Sequence, residues 1–144
     1  EEMKKFITTE SLWIRLSALD WAENGWNLEE TIELCKILKQ NGVEVIDVSS
    51  GGAVSHQKIE IKKNYQVSFA SAVKNDVNMI TGAVGLIFEP KQAEDILQNN
   101  EADLIFLGRE LLRDPYFALR AANDLGENVA WAPQYERAKI NRFA

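Results

Sequence analysis

Ala102-Asp103-Leu104-Ile105-Phe106-Leu107-Gly108-Arg109-Glu110-Leu111-Leu112-Arg113-Asp114-Pro115 decides the fold. A short, nearly uninterrupted apolar run stops at glycine, and a helical pattern begins at once. A strand apolar on both faces belongs to a sheet covered on both sides, which is the habit of parallel sheets. The same passage occurs upstream, where Met79-Ile80-Thr81 runs into Gly82-Ala83-Val84-Gly85. It occurs again where Val43 to Val48 ends in Ser49-Ser50-Gly51-Gly52, and first at Leu12 to Ala18. Strand–helix alternation at a spacing of about 25–35 residues means βαβ units and a parallel sheet. Two closures satisfy the right-handed crossover rule, a barrel segment or an open doubly wound sheet. No Gly-x-Gly-x-x-Gly follows the first strand, so the doubly wound dinucleotide fold lacks its best signature. The reading is α/β, four βα units forming half of an eight-stranded (β/α)8 TIM barrel.

Between the strands the helices announce themselves by their ends. Asn27 and Glu30 form a variant capping box, Leu28, Ile32, Cys35 and Leu38 recur at helical spacing, and Gly42 stops the run. Tyr65 to Val73 carries Val67, Ala70 and Val73 at the same spacing. Pro90 suits the first turn of a helix reaching Leu97, since its missing N–H costs nothing there. Glu110 to Leu112 forms a short turn of helix. Asp114-Pro115 reads as a cap with proline at the first position of a last helix, which ends at Gly126. The tail, Val129 to Ala144, has no clear period.

The chain has 144 residues, enough for one ordinary core but too few for a whole barrel, which takes roughly 250. Hydrophobic residues make up 46% and charged residues 26%, the balance of a folded, water-soluble domain. No apolar run nears the roughly 20 residues that span a bilayer. The opening Glu1-Glu2-Met3-Lys4-Lys5 has no signal-peptide core and reads as a linker within a longer protein. A net charge of −6 argues against nucleic acid, which asks for clustered Lys and Arg. The single cysteine, Cys35, excludes an internal disulfide and suits a reducing cytoplasm.

The chemistry is expected at the strand ends. Glycine at the carboxyl end of a parallel strand lets backbone approach a ligand closely, and that suits a phosphate. Consecutive barrel strands ending so, with a short extra helix after them, build the usual barrel phosphate site. Gly82, Gly85, Gly108 and Arg109 are therefore its candidates, Arg109 because guanidinium pairs with phosphate in bidentate fashion. The alternative for Arg109 is a surface pairing with Glu110 or Asp114. Arg15 interrupts Leu12-Trp13-Ile14-Arg15-Leu16, and a charge turned inward there needs a partner. His56, the only histidine, lies in a Ser-His-Gln-Lys loop and reads as solvated. Cys35 lies on an apolar stripe and reads as an inert core thiol. No metal site is expected.

Taken together, Trp13 to Ala18, Asp47-Val48-Ser49-Ser50-Gly51, Tyr65 to Ala70, Thr81 to Gly85 and Ala102 to Pro115 resemble the C-terminal half of the Old Yellow Enzyme family. The bacterial NADPH dehydrogenase branch is nearest, and Gln134-Tyr135-Glu136-Arg137 also matches it. The resemblance implies an FMN-containing barrel that reduces activated alkenes such as enones with NADPH or NADH. It implies that Arg15 lies by the N1 and O2 edge of the flavin, and that Gly108 and Arg109 hold its phosphate beside the Gly82–Gly85 loop. Ser50 and Gly51 join the cofactor-binding set, and Arg137 reaches a neighbouring subunit's active site, so a homo-oligomer is expected. One departure is Lys63-Asn64, where the family commonly has Pro-Gly. The family's substrate-binding histidine pair, proton-donating tyrosine and flavin-tuning cysteine or threonine lie in the other half and have no counterpart here. Two competing readings stand beside this one. The first is a different phosphate-binding barrel, an isomerase or synthase; the second is a cofactor-free half-barrel that self-associates.

Overall fold

Four parallel strands stand in sequence order. They are β1 (Trp13–Ser17), β2 (Val45–Ser49), β3 (Ile80–Ala83) and β4 (Leu104–Ile105), ordered β1-β2-β3-β4. This computed structural model describes residues 2–6 and 10–139. The order decides between the two closures. An open doubly wound sheet reverses its strand order at a switch point, whereas consecutive barrel strands simply follow one another. No reversal occurs here, and the fold is α/β with the sheet of half a TIM barrel.

Register assigns the faces. Arg15 lies opposite Asp47, and Asp47 opposite Gly82, which lies opposite Leu104. These share one face with Trp13, Val45 and Ile80, because side chains alternate along a strand. The other face carries Ile46, Val48 and Ala83, all fully buried. It packs against helices α1 (Leu28–Gln40), α2 (Val67–Val77) and α3 (Pro90–Gln98), through Cys35, Val73 and Ile96. Among the described residues no helix covers the first face: Val45 and Asp47 in its middle are buried by their neighbours, while Trp13 is 51% and Ile80 49% exposed there. Hydrophobes at those positions suit the inside of a barrel and are poorly placed in water.

Most helix ends follow the sequence reading. The Asn27 box is complete: Asn27 Oδ1 accepts from Glu30 N at 3.0 Å, and Asn27 N donates to Glu30 Oε2 at 3.0 Å. Gly42 follows α1 with φ at 76°, the left-handed conformation that glycine adopts freely. Helix α2 begins two residues later than expected and continues to Val77, because Val77 is buried and Asn78 supplies the left-handed cap. Strand β4 is shorter than the expected 103–107. As an edge it pairs on one side only, although Asp103 N and Phe106 N still donate to Thr81 O and Ala83 O. The short helix α4 spans Arg109–Arg113. The last helix, α5 (Phe117–Leu125), starts after Pro115 because Asp114 caps a turn first, accepting from Tyr116 N at 3.1 Å. Within the tail, Pro133–Ala138 forms a 3-10 helix, and residues 140–144 fall outside the described ones. Of the opening stretch, Glu1 and residues 7–9 also lie outside them, and Met3–Lys5 forms one 3-10 turn.

Cys35 is fully buried, and burial pushes its thiol from 9.0 up to about 11. Between those values the unfolded chain loses a proton that the folded chain keeps, so stability is full below pH 9 and falls as pH rises toward 11. Urea unfolding across that range should show the decline, and Cys35→Ala should flatten it. His56 is exposed, as its loop suggested.

Candidate functional site

The ends of β3 and β4 enclose a cavity of about 150 Å³. Its walls come from the loop after β3, Val84 to Phe88, and from Phe106, Gly108, Arg109, Glu110 and Arg113. Two glutamines hold the loop wall. Gln66 Nε2 donates to Val84 O at 3.1 Å, and Gln92 Nε2 donates to Leu86 O at 2.8 Å while Gln92 Oε1 accepts from Phe88 N at 3.1 Å. Both glutamines are buried and satisfied, so the loop is positioned by the helices behind it. Gly85 has φ at 113°, and a Cβ there would meet Gln66 Nε2 at 2.5 Å. Only glycine fits.

Gly108 is the opposite case. A Cβ there would meet nothing within 4 Å, so open space lies where a side chain would stand. Beside it Arg109 is exposed, and its side chain makes no ion pair or hydrogen bond with the described residues. The two acids weighed as its partners are taken. Glu110 Oε2 accepts from Arg113 Nη2 at 2.7 Å and Nε at 3.1 Å, and Asp114 Oδ2 accepts from Arg120 Nε at 2.7 Å. The cavity thus presents a free guanidinium, a bare stretch of backbone, and a carboxylate already neutralised by its own arginine. That donor set fits a phosphate monoester.

The other expected residues are distributed around this cavity. Gly82 lies beneath the Phe106 ring: a Cβ there would stand 2.0 Å from Phe106 Cε2. Its part is to admit Phe106, which lines the cavity and meets Trp13 edge-on at 6.2 Å between centroids. Ser50 sits at the end of β2, outside the cavity lining, in a relay. Trp21 Nε1 donates to Ser50 Oγ at 2.9 Å, and Ser50 Oγ donates to Gln66 Oε1 at 2.7 Å. Gly51 has φ at 71°, donates its N–H to Leu19 O at 2.8 Å and accepts from Ser17 Oγ at 2.7 Å. Arg15 is on the uncovered sheet face with Asp47, away from the cavity lining. Arg137 lies exposed in the 3-10 helix that Tyr135 ties to Tyr116, their rings 5.7 Å apart. The structure gathers Gly85, Gly108 and Arg109 into one site and leaves Arg15, Ser50, Gly51 and Arg137 at others.

Sequence reasoning passed over Asp47, Gln66 and Arg113. Asp47 carried a signal, since it is the one charge inside Val45-Ile46-Asp47-Val48-Ser49 just as Arg15 is inside its own strand. Gln66 carried none, because its partners lie on two separate strand ends. Among the described residues, no group of three or more His, Cys, Asp or Glu could hold a metal, and no helix is long and apolar enough to cross a membrane.

The chain is 48% identical over 126 residues to an NADPH dehydrogenase of Bacillus subtilis (strain 168), a match covering 88% of this chain and 37% of that protein. The chain thus spans little more than a third of its relative's length. A solved structure of wild-type GGGPS from Thermoplasma volcanium aligns over 69% of this chain and 36% of its own, at 19% identity and a TM-score of 0.45, and adds nothing to the fold already read from strand order. The model of the NADH:flavin oxidoreductase / NADH oxidase family matches residues 1–128, and with that match and the close relative the chain belongs to this family.

Proposed function

We propose that this chain is the phosphate-gripping half of an FMN-dependent NAD(P)H oxidoreductase of the Old Yellow Enzyme type, reducing activated alkenes such as enones in the cytoplasm. The observation that carries the reading is the cavity where the unpaired Arg109 and the open backbone at Gly108 meet the Gly85 loop. When bound, FMN would supply two-electron hydride transfer between NADPH or NADH and the alkene. The residues of this chain act around it. Arg109 and Gly108 take the phosphate, Phe106 and Leu86 shield it from water, and Arg15 offers a cation on the sheet face for charge gathering on the reduced flavin. The groups that grip the substrate carbonyl belong to the remainder of the barrel, and Arg137 serves a neighbouring subunit.

Purification of the complete protein tests this directly. Flavin should co-purify or bind on addition, and NADPH should reduce it and then an enone. Phosphate binding without flavin uptake would favour a sugar-phosphate isomerase or synthase instead. The uncovered sheet face gives a second expected result. Free edges on β1 and β4, with Trp13 and Ile80 half exposed between them, invite pairing with another chain. The isolated 144-residue chain should therefore sediment as a dimer or larger at micromolar concentration; a clean monomer rules this out.

A further inference from the structure

Asp47 is an expensive residue for the place it occupies. It stands mid-strand in β2 between the buried Ile46 and Val48, and is itself only 8% exposed. Its Oδ2 accepts from Arg15 Nε at 2.6 Å and lies 2.6 Å from Arg15 Nη2. Its Oδ1 is buried and has no hydrogen-bond partner among the described residues. A buried carboxylate with one oxygen orphaned is a poor way to stabilise a sheet, and an apolar residue of similar size would serve the fold as well. The pair is also lopsided. The Arg15 side chain is 58% exposed and that of Asp47 11%, so the acid is fixed in the wall while the guanidinium reaches the open face. A single oxygen grips one edge of the guanidinium. Arg carries five N–H donors, and among the described residues the remaining ones have no partner. Gly82, across from Asp47 on β3, puts no side chain beside the pair.

We propose that Asp47 is the positioning residue of Arg15 and a fixed counter-charge that holds down the reduction potential of the flavin this face would carry. The inference rests on the reading of Arg15 as the flavin-edge cation. Asp47 does two separable things. It aims the guanidinium by a short charged contact across two paired strands. It also subtracts from the positive field that Arg15 offers to the reduced, negatively charged cofactor. Among the described residues no donor meets Oδ1, and Arg15 is the cation paired with the carboxylate.

The two actions separate by substitution in the complete, FMN-loaded protein, with the midpoint potential and FMN affinity as readouts. Asp47→Asn retains an oxygen to accept from Arg15 and loses the charge. It should make reduction about tenfold more favourable, a rise of about 30 mV for a two-electron couple, with FMN affinity little changed. Asp47→Ala frees Arg15 and should weaken FMN binding about tenfold. Arg15→Ala should move the potential the other way, downward. A purely structural Asp47 would not give opposite signs at the two ends of one ion pair. If Arg15→Ala lowers the potential and Asp47→Asn leaves it unchanged or lowers it, Asp47 is no counter-charge and the inference fails. If Arg15→Ala leaves the potential unmoved, the flavin-edge reading itself is wrong. Should Asp47→Asn not fold by circular dichroism, Asp47→Ser, neutral and small, carries the same potential measurement.

Discussion

Arg109→Ala should weaken FMN binding by about 1.5–3 kcal/mol, the range for losing a hydrogen bond to a charged group. The expectation rests on what surrounds the residue. Its guanidinium is unclaimed by Glu110 and Asp114, which are held by Arg113 and Arg120. Removing it therefore breaks no internal pair, and the loss should appear in cofactor affinity while thermal stability of the apoprotein is kept. Arg109→Lys should recover part of the loss, since an ammonium neutralises charge but cannot match a planar fork to phosphate oxygens. Fluorescence titration of FMN into the apoprotein measures both. Unchanged affinity in a folded Arg109→Ala protein would remove the cavity from the flavin site.

A larger change at a smaller residue should strike fold and site together. Gly82→Val places a Cβ within 2.0 Å of the Phe106 ring, and two methyl groups beyond it. Overpacking of this kind costs about 1–3 kcal/mol, and the upper end applies because the clash is with a ring also held against Trp13. Displacing Phe106 also strips one wall from the cavity at Gly108 and Arg109. Urea denaturation should show the stability loss, and FMN titration a loss of affinity beyond it. Phe106→Leu, introduced into the Gly82→Val protein, should restore most of the stability by making room. If the double variant is no more stable than Gly82→Val alone, the close approach of Phe106 is not why position 82 needs glycine.

Which parts of this were legible in the sequence follows from which interactions are local. Strand ends were visible because a glycine or serine stops each apolar run within a few residues. The Asn27 cap was visible because its partner, Glu30, is three residues away. Arg109 was visible because glycine, arginine and a helix start are adjacent. Register was not. Arg15 plainly needed a partner, yet Asp47 is 32 residues away, and a slip of one residue would turn it to the opposite face. The same holds for Ser50, whose motif is easily read while its bonds to Trp21 and Gln66, 29 and 16 residues away, are not. In the sequence, Lys74, Asn75 and Asp76 look like a polar end to helix α2. The buried Val77 and the cap at Asn78 carry the helix past them.

Because the strands pair only with their neighbours in sequence, the sheet can be assembled in the order in which it is synthesised. Trp13 pairs with Val45, Val45 with Ile80 and Gly82 with Leu104, so the loops to be closed are 32, 35 and 22 residues long. Closure entropy grows only with the logarithm of length, so these three steps cost nearly the same. None waits for a distant segment. As the nascent chain leaves the ribosome, each strand finds its docking edge already formed by the one before it. The last to emerge, β4, brings Gly108 and Arg109 to a Gly85 loop already held by Gln66 and Gln92. The anion-binding corner is thus set in place with the last of these four strands, and α5 then brings Arg120 to Asp114 behind it.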